Sequence, residues 1–105
     1  MKRMKRRYLL VQLDFDCVPE QRAFLDAVWR QVGQLYGEYG ASQTSLALMN
    51  FDVERKLAVL RTSLATVDMV RTALASIVRF EGKEAAVHVV AVSGTIKALC
   101  KRAPV

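Results

Sequence analysis

The order of its hydrophobic patterns is the feature that most constrains how this chain folds. Four segments have the alternation, or the β-branched and aromatic content, that is typical of strands. The predicted strands are 6–15, 43–51, 56–62 and 83–92. Because only the short polar turn 52–55 separates the second and third strands, we expect them to form an antiparallel hairpin.

Two further segments repeat apolar residues at helical spacing. The first predicted helix begins at Pro19, which suits a first turn, and ends at Gly37 or Gly40. Its apolar side is expected to pack on a sheet. That side consists of Phe24, Leu25, Val28, Trp29, Val32, Leu35 and Tyr36. The second predicted helix runs from Thr66, as its N-cap, to about Phe80.

The resulting order, strand–helix–strand–strand–helix–strand, predicts an α/β (α+β) fold. Two helices cover only one face of a four-stranded sheet, and right-handed crossovers then favour the ferredoxin-like, or RRM-like, βαββαβ sandwich. Its four-stranded antiparallel sheet has the spatial order 4-1-3-2. Ser93 is expected to cap a short C-terminal helix over 95–101. A length of 105 residues predicts one domain, 1–105, with residues 1–5 as a flexible basic arm.

The net charge of +6 is concentrated at the two ends of the chain. Residues 1–7 and 97–105 together hold eight basic residues and no acidic one, whereas residues 8–96 hold eight basic and ten acidic residues. In the predicted topology the first and last strands are antiparallel neighbours, so both basic clusters meet at one edge of the sheet. This arrangement predicts a partner that carries phosphates, such as a nucleic acid.

The turn from Val92 to Lys97 lies in this basic region. A small-residue turn that opens a helix exposes unpaired backbone N–H groups, which bind phosphate together with a nearby lysine. The alternative is an ordinary strand-to-helix turn with a capping hydroxyl.

Several of these segments resemble the archaeal ribonuclease P protein component 2 family, which is related to a eukaryotic subunit of ribonuclease P and ribonuclease MRP. The residues that carry the resemblance are Arg6-Arg7-Tyr8-Leu9, Val32, Gly33, Gly37, Gly40, Val70-Arg71-Thr72-Ala73-Leu74, Gly82 and, most specifically, Val92-Ser93-Gly94-Thr95-Ile96-Lys97. The resemblance implies a non-catalytic subunit of an endonuclease that removes 5′ leaders from precursor tRNA. The RNA subunit would carry out the Mg²⁺-dependent hydrolysis, and the protein itself would bind no cofactor.

The same resemblance implies three partners: the ribonuclease P RNA, precursor tRNA and protein component 3, with possible self-association into a heterotetramer. We expect ten residues to contact RNA, seven of them through phosphates and three by shaping the turn. They are Arg3, Lys5, Arg6, Arg7, Ser93, Gly94, Thr95, Lys97, Lys101 and Arg102. Stacking of bases across the sheet is not expected, because the third strand has no aromatic residue and the first offers only Tyr8.

The helix-free face of the sheet is predicted to be apolar and to bind protein, either component 3 or a second copy of the chain. The predicted interface residues are Leu46, Leu48, Met49 and Phe51. In the alternative arrangement, the C-terminal helix shields this face with Ile96, Ala98 and Leu99.

Other candidate groups have simpler structural explanations. Asp14 and Asp16 share a strand face but have no third carboxylate for a magnesium site. His88 is expected to be structural or interfacial, and Trp29 and Tyr36 to be core or rim residues.

Two cysteines, Cys17 and Cys100, and one histidine do not make a recognisable zinc site, and the predicted topology keeps these cysteines too far apart for a disulfide. No catalytic triad or nucleotide loop supports an autonomous nuclease. A small-molecule regulatory domain or another dimeric interaction module stays an alternative, although the loop 16–19 lacks the glycine such a domain would need. The apolar stretch 8–13 is too short for a secretion signal or a membrane span, so we expect a cytoplasmic protein.

Overall fold

The computed structural model describes residues 5–15, 19–80, 82–95 and 97. The elements in chain order are β1 (Arg6–Phe15), α1 (Gln21–Gln43), β2 (Ala47–Asp52), β3 (Leu57–Ser63), a 3₁₀ turn (Leu64–Thr66), α2 (Val67–Ala75), β4 (Arg79–Phe80) and β5 (Lys83–Ser93).

The strands form one antiparallel sheet in the order β2-β3-β1-β5-β4. Since β5 is the strand expected over 83–92, the predicted order 4-1-3-2 is confirmed. The prediction of four strands is corrected to five, because Arg79 and Phe80 pair with the start of β5. Gly82 makes this hairpin possible: its φ of +81° lies in the left-handed region, where glycine is not strained.

Helix α2 is shorter than the sequence predicts, because it ends at Ala75 and not near Phe80. The Ser76 hydroxyl donates a hydrogen bond to the Ala73 carbonyl at 2.7 Å, and the β-branched residues Ile77 and Val78 follow. At the other end of α2, Thr66 occupies the N-cap position but makes no side-chain capping bond. Its hydroxyl lies instead 2.9 Å from the hydroxyl of Thr62 and 2.6 Å from that of Ser63.

Helix α1 continues past both glycines that were expected to end it. Gly37 has φ 77° and ψ 173°, so the helix changes direction there and then continues to Gln43. The next strand consequently begins later than predicted, at Ala47. Thr44 is fully buried, and its carbonyl accepts bonds from the Ser63 N–H at 3.1 Å and the Thr62 hydroxyl at 2.7 Å.

The main core lies between the helices and one face of the sheet. Because side chains alternate along a strand, β1 buries Leu9, Val11, Leu13 and Phe15 there. Helices α1 and α2 cover them chiefly with Phe24, Val28, Val32, Val70 and Leu74, all completely buried. Trp29 packs at the rim of this core, whereas the second half of α1 leaves Leu35 and Tyr36 exposed. Within the described residues no helix is long and apolar enough to cross a membrane.

Candidate nucleic-acid interface

The topology brings the start of β1 beside the end of β5. Tyr8 pairs with Ser93, and the backbone bends directly after Ser93, at Gly94 and Thr95. A Cβ atom placed on Gly94 would lie 3.4 Å from Nη1 of Arg7, so this guanidinium rests directly against the turn. Of the predicted contact residues that the structure describes, it therefore places Arg6 and Arg7 at the same end of the sheet as Ser93, Gly94 and Thr95.

The side chains at this edge are available to an anion. Lys5, Arg6 and Lys97 are exposed, and Arg7 is half-buried. Nη1 of Arg7 donates a hydrogen bond to the Arg6 carbonyl at 2.9 Å, which fixes the direction of the guanidinium. We call Lys5, Arg6, Arg7 and Lys97 the basic edge.

No carboxylate neutralises the basic edge within the described part of the chain. Among the described residues, the single ion pair joins Arg55 to Asp52 at 3.8 Å. It lies in the β2–β3 turn, at the opposite end of the sheet from the basic edge. The positive charges of the basic edge are therefore available for phosphates.

The turn itself is only partly described. The Thr95 N–H donates to Oγ of Ser93 across the bend at 3.4 Å, a long and therefore weak bond. Lys97 is helical, but its neighbours lie outside the described residues, and so does most of the predicted helix 95–101. The other predicted residues outside the described ranges are Arg3, Asp16, Cys17, Ile96, Ala98, Leu99, Cys100, Lys101 and Arg102.

Arg61 is a further basic residue at this end of the sheet, outside the residues predicted to contact RNA. It lies on β3 directly opposite Tyr8, and its Nε is buried without a hydrogen-bond partner among the described residues. The alternation of Leu57, Val59 and Arg61 already places this arginine on the helix-free face. It was missed because its charge lies within the body of the chain and not in a terminal cluster.

The residues predicted for the protein interface are mostly on the wrong face. Leu46 is only 7% exposed and belongs to the main core, against which Leu48 and Phe51 also pack. A shift in register between Leu48 and Asn50 leaves only Met49, at 38%, exposed. The prediction that these four residues form a patch on the helix-free face is therefore wrong.

The helix-free face does have an apolar centre, built from other residues. Leu10 and Val59 are 4% and 7% exposed, and Tyr8, Leu57 and Ala91 pack against them. Polar groups lie beyond this centre: His88 is exposed opposite Gln12, and Asp14 is exposed opposite Ala86. No group of three metal-ligating side chains occurs among the residues that the structure describes.

Comparison with known proteins identifies the family. Residues 7–104 match the model of the Rpp14/Pop5 family. The chain belongs to the Rpp14/Pop5 family. Ribonuclease P protein component 2 of Methanobrevibacter smithii is 31% identical, with 94% of this chain and 88% of that protein covered. The protein of the same name from Pyrococcus horikoshii is 28% identical over 95% of this chain and 83% of its own length.

The fold of this Rpp14/Pop5 member is also found in a solved structure. A chain in the cryo-EM structure of yeast ribonuclease MRP superimposes with a TM-score of 0.73 at 16% identity, covering 91% of this chain and 79% of that one. The family resemblance and the ferredoxin-like fold class are thus confirmed. The family match also decides against the small-molecule regulatory domain, a reading that fold alone had left open.

Proposed function

We propose that this chain is a non-catalytic protein subunit of ribonuclease P that binds the catalytic RNA and supports removal of 5′ leaders from precursor tRNA. The observation that carries the proposal is the family match over residues 7–104, together with relatives named ribonuclease P protein component 2. In this proposal the protein works in the cytoplasm, and hydrolysis and the Mg²⁺ it requires belong to the RNA subunit.

The basic edge supplies the RNA contact in this proposal. Arginine and lysine bind phosphate oxygens, and such contacts fix the position and orientation of a nucleic acid without reading its sequence. Arg7 is held against Gly94 at the bend after β5, so residues from both ends of the chain act on one stretch of RNA backbone. The protein therefore stabilises one arrangement of the RNA, and the RNA itself supplies the groups that take part in the reaction.

A salt titration of RNA binding tests this contact. We expect Arg7→Ala and Lys97→Ala each to weaken binding to ribonuclease P RNA, and each to lower the slope of log affinity against log salt by about one, through lost counterion release. Arg71→Ala is the matched control, because Arg71 is exposed on α2 and is not one of the four residues of the basic edge. Unchanged affinity and slope in both test variants would show that the basic edge does not contact the RNA.

Protein component 3 is the proposed protein partner, and the exposed second half of α1 supports a docking surface for it. Leu35 and Tyr36 are exposed there, and Tyr39 is 80% exposed. Exposed aromatic and aliphatic side chains are characteristic of the buried centres of protein interfaces. In this arrangement component 3 binds the helical layer and RNA binds the basic edge, so both can be bound at once.

A further inference from the structure

Arg61 has an environment that is unusual for an arginine inside a fold. Its Nε is buried and makes no hydrogen bond within the described part of the chain. Buried polar groups are nearly always paired, and leaving one unpaired in a folded protein costs stability. Arg61 is flanked by Tyr8 on β1 and Ala47 on β2, neither of which carries a negative charge. Within the described residues, neither facing residue on the neighbouring strands therefore balances the charge of this arginine.

Charge on the helix-free face is separated along the strands. Arg6, Tyr8 and Arg61 lie at the end where β1 begins, since Arg6 is two residues before Tyr8 on the same strand face. Among the described residues, those of this face that are acidic lie at the opposite end of the strands. They are Asp14, which faces Ala86, Glu84, two residues before Ala86, and Asp52, which faces Leu57. The end that holds Arg61 is thus continuous with the basic edge and suited to an anion.

Tyr8 supplies a supported aromatic ring beside this charge. It is half-buried and packs against the Leu10–Val59 cluster, which limits the movement of its ring. Side chains directly opposite on antiparallel strands have Cβ atoms about 5 Å apart, so one nucleotide can touch both Tyr8 and Arg61. An aromatic face stacks on any base, and the terminal Nη groups of a guanidinium donate hydrogen bonds to phosphate oxygens.

From this arrangement we propose that Tyr8 and Arg61 form a site for a single unpaired nucleotide of RNA, with its base on the tyrosine ring and its phosphate on the guanidinium. The inference rests on the proposed function and adds a second, base-stacking site to the phosphate contacts of the basic edge. A single aromatic residue provides for one base, so the lack of aromatic residues on β3 does not argue against this site.

Binding of the full-length protein to ribonuclease P RNA tests the site. We expect Tyr8→Leu and Arg61→Met each to weaken binding about tenfold, whereas the control Arg71→Ala changes it less than twofold. Arg61→Met also removes the unpaired Nε, so its thermal midpoint should equal or exceed that of the wild type. A lower midpoint with unchanged RNA affinity would overturn the proposal and make Arg61 a structural residue.

Photo-cross-linking of RNA that contains 4-thiouridine locates the base. The expected result is a cross-link between Tyr8 and one unpaired nucleotide. When that nucleotide is made abasic, wild-type affinity should fall about tenfold and Tyr8→Leu should cause no further loss. Additive losses would show that Tyr8 does not stack on this base.

The outcomes separate this inference from the proposed function. If the protein binds ribonuclease P RNA and Arg7→Ala weakens binding but Tyr8→Leu and Arg61→Met do not, the nucleotide site is wrong and the proposed function stands. If the two variants weaken binding to component 3 and leave RNA binding unchanged, the face docks protein and the inference is overturned. If the wild-type protein binds no ribonuclease P RNA, the proposed function itself fails.

Discussion

Two glycines in α1 have opposite structural roles. Gly37 has φ 77° and ψ 173°, a conformation that is essentially restricted to glycine, whereas Gly33 lies within the helix and a Cβ there would meet no atom within 4 Å. Gly37 therefore sets the direction of residues 38–43 relative to the preceding part of α1. Gly33 has no comparable requirement in the backbone.

We expect Gly37→Ala to lower the free energy of unfolding by about 1–3 kcal/mol, because alanine is strained in that conformation. Gly33→Ala is the control and should raise it by about 0.4–1 kcal/mol, since alanine reduces the entropy of the unfolded chain and favours helix. Urea denaturation followed by circular dichroism measures both values. Equal effects of the two substitutions would mean that the kink does not depend on Gly37.

For single residues, the sequence predicts the burial of a side chain best where the hydrophobic period alone decides it. The four buried apolar residues of β1 share the face that alternation gives them, because alternation is regular along that strand. Alternation places Leu48 and Phe51 on opposite faces, yet both pack against the main core, because the register shift between Leu48 and Asn50 adds a residue that alternation does not reveal. The sequence around Arg61 does not indicate a site, because the residue opposite it in the sheet, Tyr8, is 53 positions away along the chain.

Buried hydroxyl groups join three elements where α1, β3 and α2 meet. Thr44, Thr62, Ser63 and Thr66 are all nearly inaccessible. The Thr62 hydroxyl donates to the Thr44 carbonyl at 2.7 Å and lies 2.9 Å from the Thr66 hydroxyl. These bonds connect the end of α1 to the end of β3 and the start of α2, so they fix the angle between the helical layer and the sheet.

Replacing Thr62 with valine keeps the side-chain shape but removes both bonds. We expect Thr62→Val to reduce the free energy of unfolding by about 1–2 kcal/mol. Thr72→Val is the matched control: Thr72 is exposed on α2, so its loss should change stability by less than about 0.5 kcal/mol. Thermal unfolding of both variants measures the difference. A stability of Thr62→Val equal to the control would contradict a role for the hydroxyl cluster.

The exposed end of α1 gives a prediction for the protein partner. We expect Tyr39→Ser to weaken binding to component 3 about tenfold, because large aromatic side chains contribute much of the energy at protein interfaces. Gln34→Ala, an exposed change on the same helix, should have little effect. Titration calorimetry with purified component 3 measures both affinities. If Tyr39→Ser binds as tightly as the wild type, component 3 docks elsewhere.

Whole elements were easier to predict than their ends. The four long strands and both helices follow from hydrophobic periods, which persist over many residues. The ends depend on single interactions: the Ser76 hydroxyl bond at the end of α2, and the burial of Thr44 before β2. Strand β4 has two residues, too few for any period to be visible.

For the whole molecule, the uneven distribution of charge along the chain and the topology of the sheet together produce the basic surface. A net charge of +6 by itself indicates only an acidic partner. Antiparallel pairing of β1 with β5 places Arg6 and Arg7 beside the bend that leads to Lys97, so the charge becomes a local surface. The sequence predicted that the two basic clusters lie together. The order of the elements and the handedness of their connections are enough to determine which strands are neighbours.

Reconstituted cleavage of precursor tRNA tests the central claim most directly. Ribonuclease P RNA is combined with this protein and component 3 at a Mg²⁺ concentration too low for the RNA alone to act, and the rate of 5′-leader removal is measured. We predict that the two proteins together restore cleavage and that the Arg7→Ala, Lys97→Ala double variant restores less than the control Arg71→Ala. Cleavage that is the same with and without this protein would contradict its assignment as a ribonuclease P subunit.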